Sequence, residues 1–450
     1  MRPSLIELRT HRIALPGIAS QEPLQRGCNQ RDWLERMTAL GIRHLVVPLN
    51  GPDEDACLFA RRHPSSTAEV GMTPTLFDLA HRDEGFFARL QFLLQAADQI
   101  GVLLGVSLFH ATHGRSAGPL YRKANEQGVS FEDVSACRSS ASPNSGRKRK
   151  GATNRQRLEE SLQAAVDWIA AELRGRQGVW VEVFRGQGDV LDVQPEPEQL
   201  ERGTLEPMIQ LEKKLCKRMA DALARPGEQP VKARLGPWVA TPPGVHWIDG
   251  DQTHVAPFTV QHGLPFGQKT FLPVSFKPEM EITPRRASVC WISSEARAVN
   301  RANLWRTLLR GSWPLVAVDR SESSGHVWKD LAQVATFGRQ WAGGGYIRSC
   351  PEMLTHVPEQ DVADGRVSAA TDGAGRYFVY LTANLKTGLE LQTLPGSYRY
   401  FWFDTASGRG LDFGDGIIGG RRCRVPIPGS ARQALLILEQ EELPDPFSIW

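Results

Sequence analysis

Residues 84–110 read EGFFARLQFLLQAADQIGVLLGVSLFH. Apolar residues recur at helical spacing up to Ile100, Gly101 can adopt the left-handed conformation that closes a helix, and the run after it is aliphatic and β-branched. The stretch therefore encodes a helix, a tight turn and a buried strand. The same junction appears at Leu40-Gly41-Ile42 before HLVVPL, at Gln177-Gly178-Val179 before WVEVF, and at Arg310-Gly311-Ser312 before WPLVAVD. Repeated helix-to-strand turns of this kind imply parallel strands.

Working outward, helices are expected at 31–40, 84–100, 154–174, 204–224, 296–310 and 327–337. In the third, Leu158, Leu162, Val166, Ile169 and Leu173 form one stripe, and Thr153 with Gln156 can form a capping box. Met208, Leu211, Leu215, Met219 and Leu223 mark a face of the fourth. Strands are expected at 43–49, 102–109, 179–184, 231–235, 244–248, 270–276 and 313–318, with a weaker one at 6–8 or 13–15. Several are continuous apolar runs, as parallel strands buried on both faces require. Counting the weak first strand, the tally matches a (β/α)8 TIM barrel over about 1–355. A doubly wound open sheet is the alternative, but no GxGxxG follows a strand and no GxxxxGK[ST] occurs.

From about residue 364 the texture changes to short alternating strands at 376–382, 388–392, 397–403 and 433–438, separated by Gly, Asn, Asp and Pro turns. In SYRYFWF the alternating sets are Tyr398, Tyr400, Trp402 and Arg399, Phe401, Phe403, so at least one face must be packed. A small antiparallel β-sandwich over 364–441 is the expected solution, with 442–450 a tail packing back.

The chain has 450 residues, 41% of them hydrophobic, and 53 basic residues face 50 acidic ones for a net charge of +3. So weak a field does not point to nucleic acid or a membrane surface. No apolar run approaches the roughly 20 residues of a membrane span, and MRPSLIELRTHR lacks the apolar core of a signal peptide. A cytoplasmic protein is expected, or a secreted one if a leader has been trimmed. The seven cysteines are odd in number and never in a CxxC pair, which argues against a disulfide framework and a structural zinc site. His246, Asp249, Asp251 and His254 cluster in sequence, but no metal site and no cofactor is expected. Between the strands at 102–109 and 179–184, an insertion at about 111–153 reads as a solvated loop. Its run Arg147-Lys148-Arg149-Lys150 could contact an acidic protein partner.

In a barrel the residues just after each strand form the site. Those are Asn50 and Asp53, His110 and His113, Arg185, Gln187 and Asp189, Asp249 and Asp251, Lys277 and Glu279, and Asp319, with Trp238, Trp247 and Trp313 nearby. Aromatic faces beside carboxylates and amides suit a sugar ring, which stacks its C–H face and hydrogen-bonds through its hydroxyls.

RANLWRTLLRGSWPLVAVD at 301–319, GHVWKDLAQVATFGRQW after it, and GRYFVYLTANLKTGLELQTLPGSYRYFWFDTASG at 375–408 resemble the apiosidase-like (β/α)8 glycoside hydrolases, whose C-terminal domain carries a collagen-binding label. Trp402-Phe403-Asp404 followed by Gly408 resembles that family's Trp-x-Asp-x-x-x-Gly turn. The resemblance implies a glycan ligand and two carboxyl groups, an acid and a nucleophile about 5 Å apart in retaining enzymes. It places the acid in an Asn-Glu pair ending the fourth strand, where this chain has Arg185-Gly186. A glycine cannot donate a proton. Glu182, four residues back, lies roughly 13 Å away along a strand. LPVSFKPEM resembles the ending that carries the nucleophile, and puts Glu279 next to the expected place, with Asp189 the substitute acid.

The resulting expectation is a glycoside-hydrolase-like, carbohydrate-binding protein with impaired catalysis, in which His110, His113, Arg185, Trp247, Asp249 and Asp251 contact the glycan. Arg185 suits an anionic sugar. The alternatives are an active retaining glycosidase using Glu279 and Asp189, and a non-catalytic scaffold that keeps the barrel as a stable body.

Overall fold

The computed structural model describes residues 16–49, 57–62, 76–110, 119–120, 125–129, 147–176, 179–185, 210–211, 214–215, 217–219, 221–223, 259–262, 288–292, 301–309, 312–318, 324–340, 347–363, 366–373, 375–382, 389–429 and 433–441. The chain divides into two compact units. One comprises Met1–Ile18, Ala39–Ile42 and Pro257–Trp450, the other Ala19–Thr38 and Arg43–Ala256. The fold is mixed α/β, with a parallel sheet and separate antiparallel sheets.

The first strand, β1 (Gly17–Ala19), precedes helix α1 (Gln30–Ala39) and strand β2 (His44–Pro48). A hairpin of β3 (Phe59–Arg62) and β4 (Leu76–Arg82) leads into α2 (Glu84–Ile100), followed by β5 (Leu103–His110), α3 (Arg147–Leu173) and β6 (Val179–Arg185). Helix α2 begins and ends as its sequence dictates. The Asp83 side chain accepts from the Phe86 N–H at 2.7 Å. At the other end Gly101 has φ 79° and its N–H reaches the Ala97 carbonyl at 2.9 Å. Phe86, Phe87, Leu90, Leu93 and Leu94 form its buried face. Each capped end satisfies backbone groups that burial would otherwise penalise.

In this unit β2, β5 and β6 are parallel, with His44 opposite Leu103, Pro48 opposite Ser107, and His110 opposite Arg185. Residues Leu103 to Phe109 are all buried, as a strand covered on both faces should be. Leu158, Leu162, Val166, Ile169 and Leu173 on α3 are buried, and so are Leu211, Leu215 and Met219 in the helical residues of 210–223. Lys214 to Glu159 at 3.0 Å and Arg218 to Asp167 at 2.7 Å tie the two helical segments together.

Three features differ from the sequence expectation here. The basic run Arg147–Lys150 forms the first turn of α3 and is not a loop; Arg and Lys have high helix propensity, and the buried stripe further along stabilises the whole helix. Thr153 and Gln156 therefore sit inside the helix, not at its cap. The insertion also holds packed structure. Asn125 is buried, donating to the carbonyls of Pro119 and Val129 at 2.9 Å each, and Gln127 donates to Asp78 at 2.8 Å. Burial would raise the Asp78 carboxyl, but hydrogen bonds from Ala80, His81 and Gln127 together hold it below its ordinary value. The pairing of β3 with β4 was not expected, because residues 63–75 between them contain no Asn-Gly or Gly-Gly signal.

The other unit continues with β7 (Thr259–His262), β8 (Ser288–Ile292), α4 (Arg301–Leu309), β9 (Ser312–Ala317) and α5 (Ser324–Gln340). Here β7, β8 and β9 are parallel neighbours, and β9 is flanked on its other side by β1. After β10 (Arg348–Ser349) and α6 (Glu359–Ala363) come β11 (Val367–Thr371), β12 (Arg376–Leu381), β13 (Leu389–Leu391), β14 (Ser397–Asp404), β15 (Gly410–Ile418), β16 (Cys423–Val425) and β17 (Ala434–Gln440). They form a six-stranded antiparallel sheet in the order β10-β11-β12-β17-β14-β15 and the two-stranded pair β13-β16.

One face of the larger sheet shares a core with the pair: Tyr398, Tyr400, Trp402, Val379 and Leu436 meet Leu389, Leu391, Cys423 and Val425. Its other face packs on the helices. Trp305 of α4 lies edge-on to Phe337 at 5.4 Å and to Phe403 at 5.8 Å and stacks with Tyr380 at 6.3 Å, while Phe337 meets Phe378 at 5.3 Å. The sheet thus belongs to the same compact unit as β9 and α5, and the boundary expected near 364 falls inside that unit.

Candidate functional site

Of the residues singled out from the sequence, His110 and Arg185 lie at described strand ends. His110 closes β5, Arg185 closes β6, and the two are register partners on adjacent parallel strands. These positions are brought together by the fold alone, since 75 residues separate them in the chain. His113, Asp189, Trp247, Asp249, Asp251 and Glu279 lie outside the described residues, as do Gly186, the strands expected at 231–235, 244–248 and 270–276, and the tail at 442–450. Glu182 is opposite Ser107, three register steps before the His110–Arg185 pair.

The penultimate parallel strand by sequence order is β8, the direct partner of β9, with Cys290 opposite Pro314. It ends at Ile292, and the chain continues Ser293-Ser294-Glu295. Glu279, by contrast, precedes the start of β8 by nine residues. No strand is expected over SVCWI from the sequence. A signal is present, because four apolar residues sit between Pro284-Arg285-Arg286 and Ser293-Ser294, but five residues are too short to separate from a buried loop by periodicity. TVQH of β7 carries weaker signal still.

The Trp-x-Asp-x-x-x-Gly segment is a structural turn. Asp404 accepts from the Ala406 N–H at 2.8 Å and from the Ser407 hydroxyl at 2.9 Å, and Gly408, at φ 71°, donates to the Asp404 carbonyl at 2.7 Å. Trp402 donates its indole N–H to the Pro426 carbonyl at 2.8 Å from a fully buried position. Asp404 and Gly408 hold the turn and Trp402 anchors it to the Pro426 carbonyl, so the motif's composition is explained by folding.

Other titratable groups in this unit are also structural. Burial would raise Glu439, but Arg399 and Arg376 hold it below its ordinary value. Burial pushes the Tyr380 hydroxyl up to about 12 and the Cys423 thiol up to about 11, so both stay protonated at neutral pH. Cys57, Cys350 and Cys423 are buried, and Cys28 is partly exposed. Among the described residues no helix is long and apolar enough to cross a membrane.

No family model and no curated protein matches the chain. Solved structures do. The chain is similar to a glycoside hydrolase at 10% identity and TM-score 0.52, covering 95% of this chain and 93% of that one. It is similar also to a family 5 glycoside hydrolase from Bacteroides vulgatus at 10% identity and TM-score 0.53, covering 97% and 93%. A further structure from the same bacterium, provisionally assigned as a glycoside hydrolase, gives 13% identity and TM-score 0.55 over 95% of this chain and 78% of that one. The fold is glycoside hydrolase-like.

Proposed function

We propose that this is a carbohydrate-directed protein of glycoside hydrolase descent, built on a (β/α)8 barrel with a C-terminal β-sandwich, whose cleaving machinery is impaired. The observation that carries the reading is the end of β6. That strand runs to Arg185, so the next residue is Gly186, where the resemblance expects the proton-donating glutamate. A main-chain-only residue cannot protonate a leaving oxygen, and loss of a general acid typically costs 10²–10⁴-fold in rate. The neighbouring His110 and Arg185 supply hydrogen-bond donors at the adjacent strand ends, which favours a glycan bearing a carboxylate or sulfate. His113, Asp189, Trp247, Asp249 and Asp251 remain the other proposed contacts.

The end of β8 favours a second reading. Glu295 follows that strand by three residues, so a carboxylate is retained where a nucleophile would be sought, and Glu279 is the weaker candidate for that role.

A glycan array on the whole chain, followed by turnover of aryl glycosides of each sugar it retains, tests both readings. Binding without turnover, abolished by Arg185→Ala and unaffected by Glu295→Gln, supports the first. Turnover that Glu295→Gln removes and Glu279→Gln leaves intact establishes the second and sinks the first. Retention of no glycan at all removes both in favour of a scaffold.

A further inference from the structure

The outer face of the β13–β16 pair is charged. Leu389, Leu391, Cys423 and Val425 turn into the shared core, and strand alternation directs Glu390 and its register partner Arg424 the other way. The Glu390 carboxyl, only 9% exposed, is where three segments meet. Arg424 donates its Nε to Oε2 at 3.1 Å, the Arg422 Nε stands 3.8 Å from Oε1, and the His356 Nε2 lies 3.1 Å from Oε1 without hydrogen-bond alignment. Main-chain bonds fix the same arrangement, since the Thr355 N–H reaches the Glu390 carbonyl at 3.2 Å and the Gln392 N–H reaches the Met353 carbonyl at 2.7 Å. A carboxylate buried this far is costly unless paired, so its effect is to hold the two guanidinium groups side by side. Their side chains are nevertheless 74% exposed at Arg422 and 79% exposed at Arg424, and Arg421 beside them is exposed as well. Among the described residues Glu390 is the sole carboxylate within ion-pair distance of Arg422 and Arg424, so the face keeps an excess of positive charge.

We propose that this face binds an anionic polysaccharide, a chain bearing uronate or sulfate groups, through the outward nitrogens of Arg422 and Arg424. That the face takes an anion rests on its charge; that the anion belongs to a glycan rests on the carbohydrate-directed reading. Arg424 bonds Glu390 through Nε alone, which leaves its terminal nitrogens to the solvent side, and a guanidinium fork matches paired anionic oxygens. Two forks two residues apart suit charges that repeat along an extended polymer better than one small ion. Nucleic acid fits less well, because neither LEL of β13 nor CRV of β16 offers an aromatic ring on which a base could stack. An acidic peptide cannot add as a strand beside β13, since Met353 to Thr355 already occupy that edge, with Leu354 bridged to Leu391.

The test measures the affinity of the full chain for polygalacturonate, dextran sulfate and unmodified dextran, at low and high salt. The same is done for Arg422→Ala, for Arg422→Ala/Arg424→Ala, for Arg185→Ala, and for Arg31→Ala/Arg36→Ala, which removes two exposed arginines from α1. At least one charged polymer should bind and dextran should not, with about a tenfold loss for each arginine removed at 422 and 424 and an effect that fades as salt rises. Should the double variant fail to fold because Glu390 loses both arginines, Arg422→Ala alone carries the comparison, since it stands beyond hydrogen-bond reach of that carboxylate. Binding weakened by Arg422→Ala and kept by Arg185→Ala supports the proposal. Binding of neither charged polymer, an equal loss in the α1 variant, or displacement by polyphosphate or single-stranded DNA at matched charge would each overturn it. Binding abolished by Arg185→Ala but untouched by Arg422→Ala overturns it while supporting the strand-end site, and neutral sugars retained on the glycan array keep the carbohydrate reading even where both charged polymers fail.

Discussion

Glu439 shows how one side chain ties three strands. Its carboxylate accepts from Arg376 at 2.8 Å and from Arg399 at 2.9 Å, linking β17 to β12 on one side and to β14 on the other. The carboxyl is held below its ordinary 4.5, so the folded state favours the charged form. The resulting stabilisation is complete above the ordinary glutamate range and disappears as pH falls through the lowered folded value. Glu439→Gln should cost about 1–2 kcal/mol at pH 7, modest because both arginines are partly exposed, and the difference should shrink as pH falls through the lowered folded value. Denaturant melts of the two proteins at pH 7, 5 and 3 check this; a pH-independent difference would mean that packing, not charge, is what the substitution removes. At this scale the sequence was informative about chemistry and silent about partners. Nothing in a linear reading pairs Glu439 with Arg376, because antiparallel register brings together residues 63 positions apart.

At the scale of the element, α3 carries four cations in its first turn and no acidic residue there. Positive charge at a helix N-terminus opposes the dipole, so Arg147→Glu with Lys148→Glu should stabilise the protein by about 0.3–1 kcal/mol per position at low salt and by much less at 1 M. Thermal melts across that salt range measure it, and destabilisation would indicate that the basic turn has a partner within the fold. Helices were the most legible elements, since Leu158 to Leu173 and Leu211 to Met219 bury the stripes their spacing specifies. Strands were legible where they were long and apolar, as at β2, β5, β6 and β9. The short ones were not: five residues of SVCWI or four of TVQH acquire strand geometry from their neighbours' hydrogen bonds more than from their own preference. Without β8, a linear reading weighs Glu279 and passes over Glu295, three residues beyond that strand.

For the molecule as a whole, the aromatic cluster of Trp305, Phe337, Phe378, Tyr380 and Phe403 joins α4 and α5 to the antiparallel sheet. Trp305 is fully buried, and Trp305→Ala should cost about 3–5 kcal/mol. Because the cluster spans the helices and the sheet, calorimetry should show a single lowered transition for them; a sheet that melts separately at its original temperature would show that it is an independent domain. Composition, the glycine-ended junctions at Gly41 and Gly101 and the alternation in SYRYFWF were sufficient for a parallel α/β region followed by antiparallel strands, because periodicity and left-handed turns are local properties of the chain. The adjacency of His110 to Arg185, the identity of the strand beside β9, and the convergence of Arg422 and Arg424 on Glu390 depended on register and packing, which are set by contacts between residues far apart in sequence.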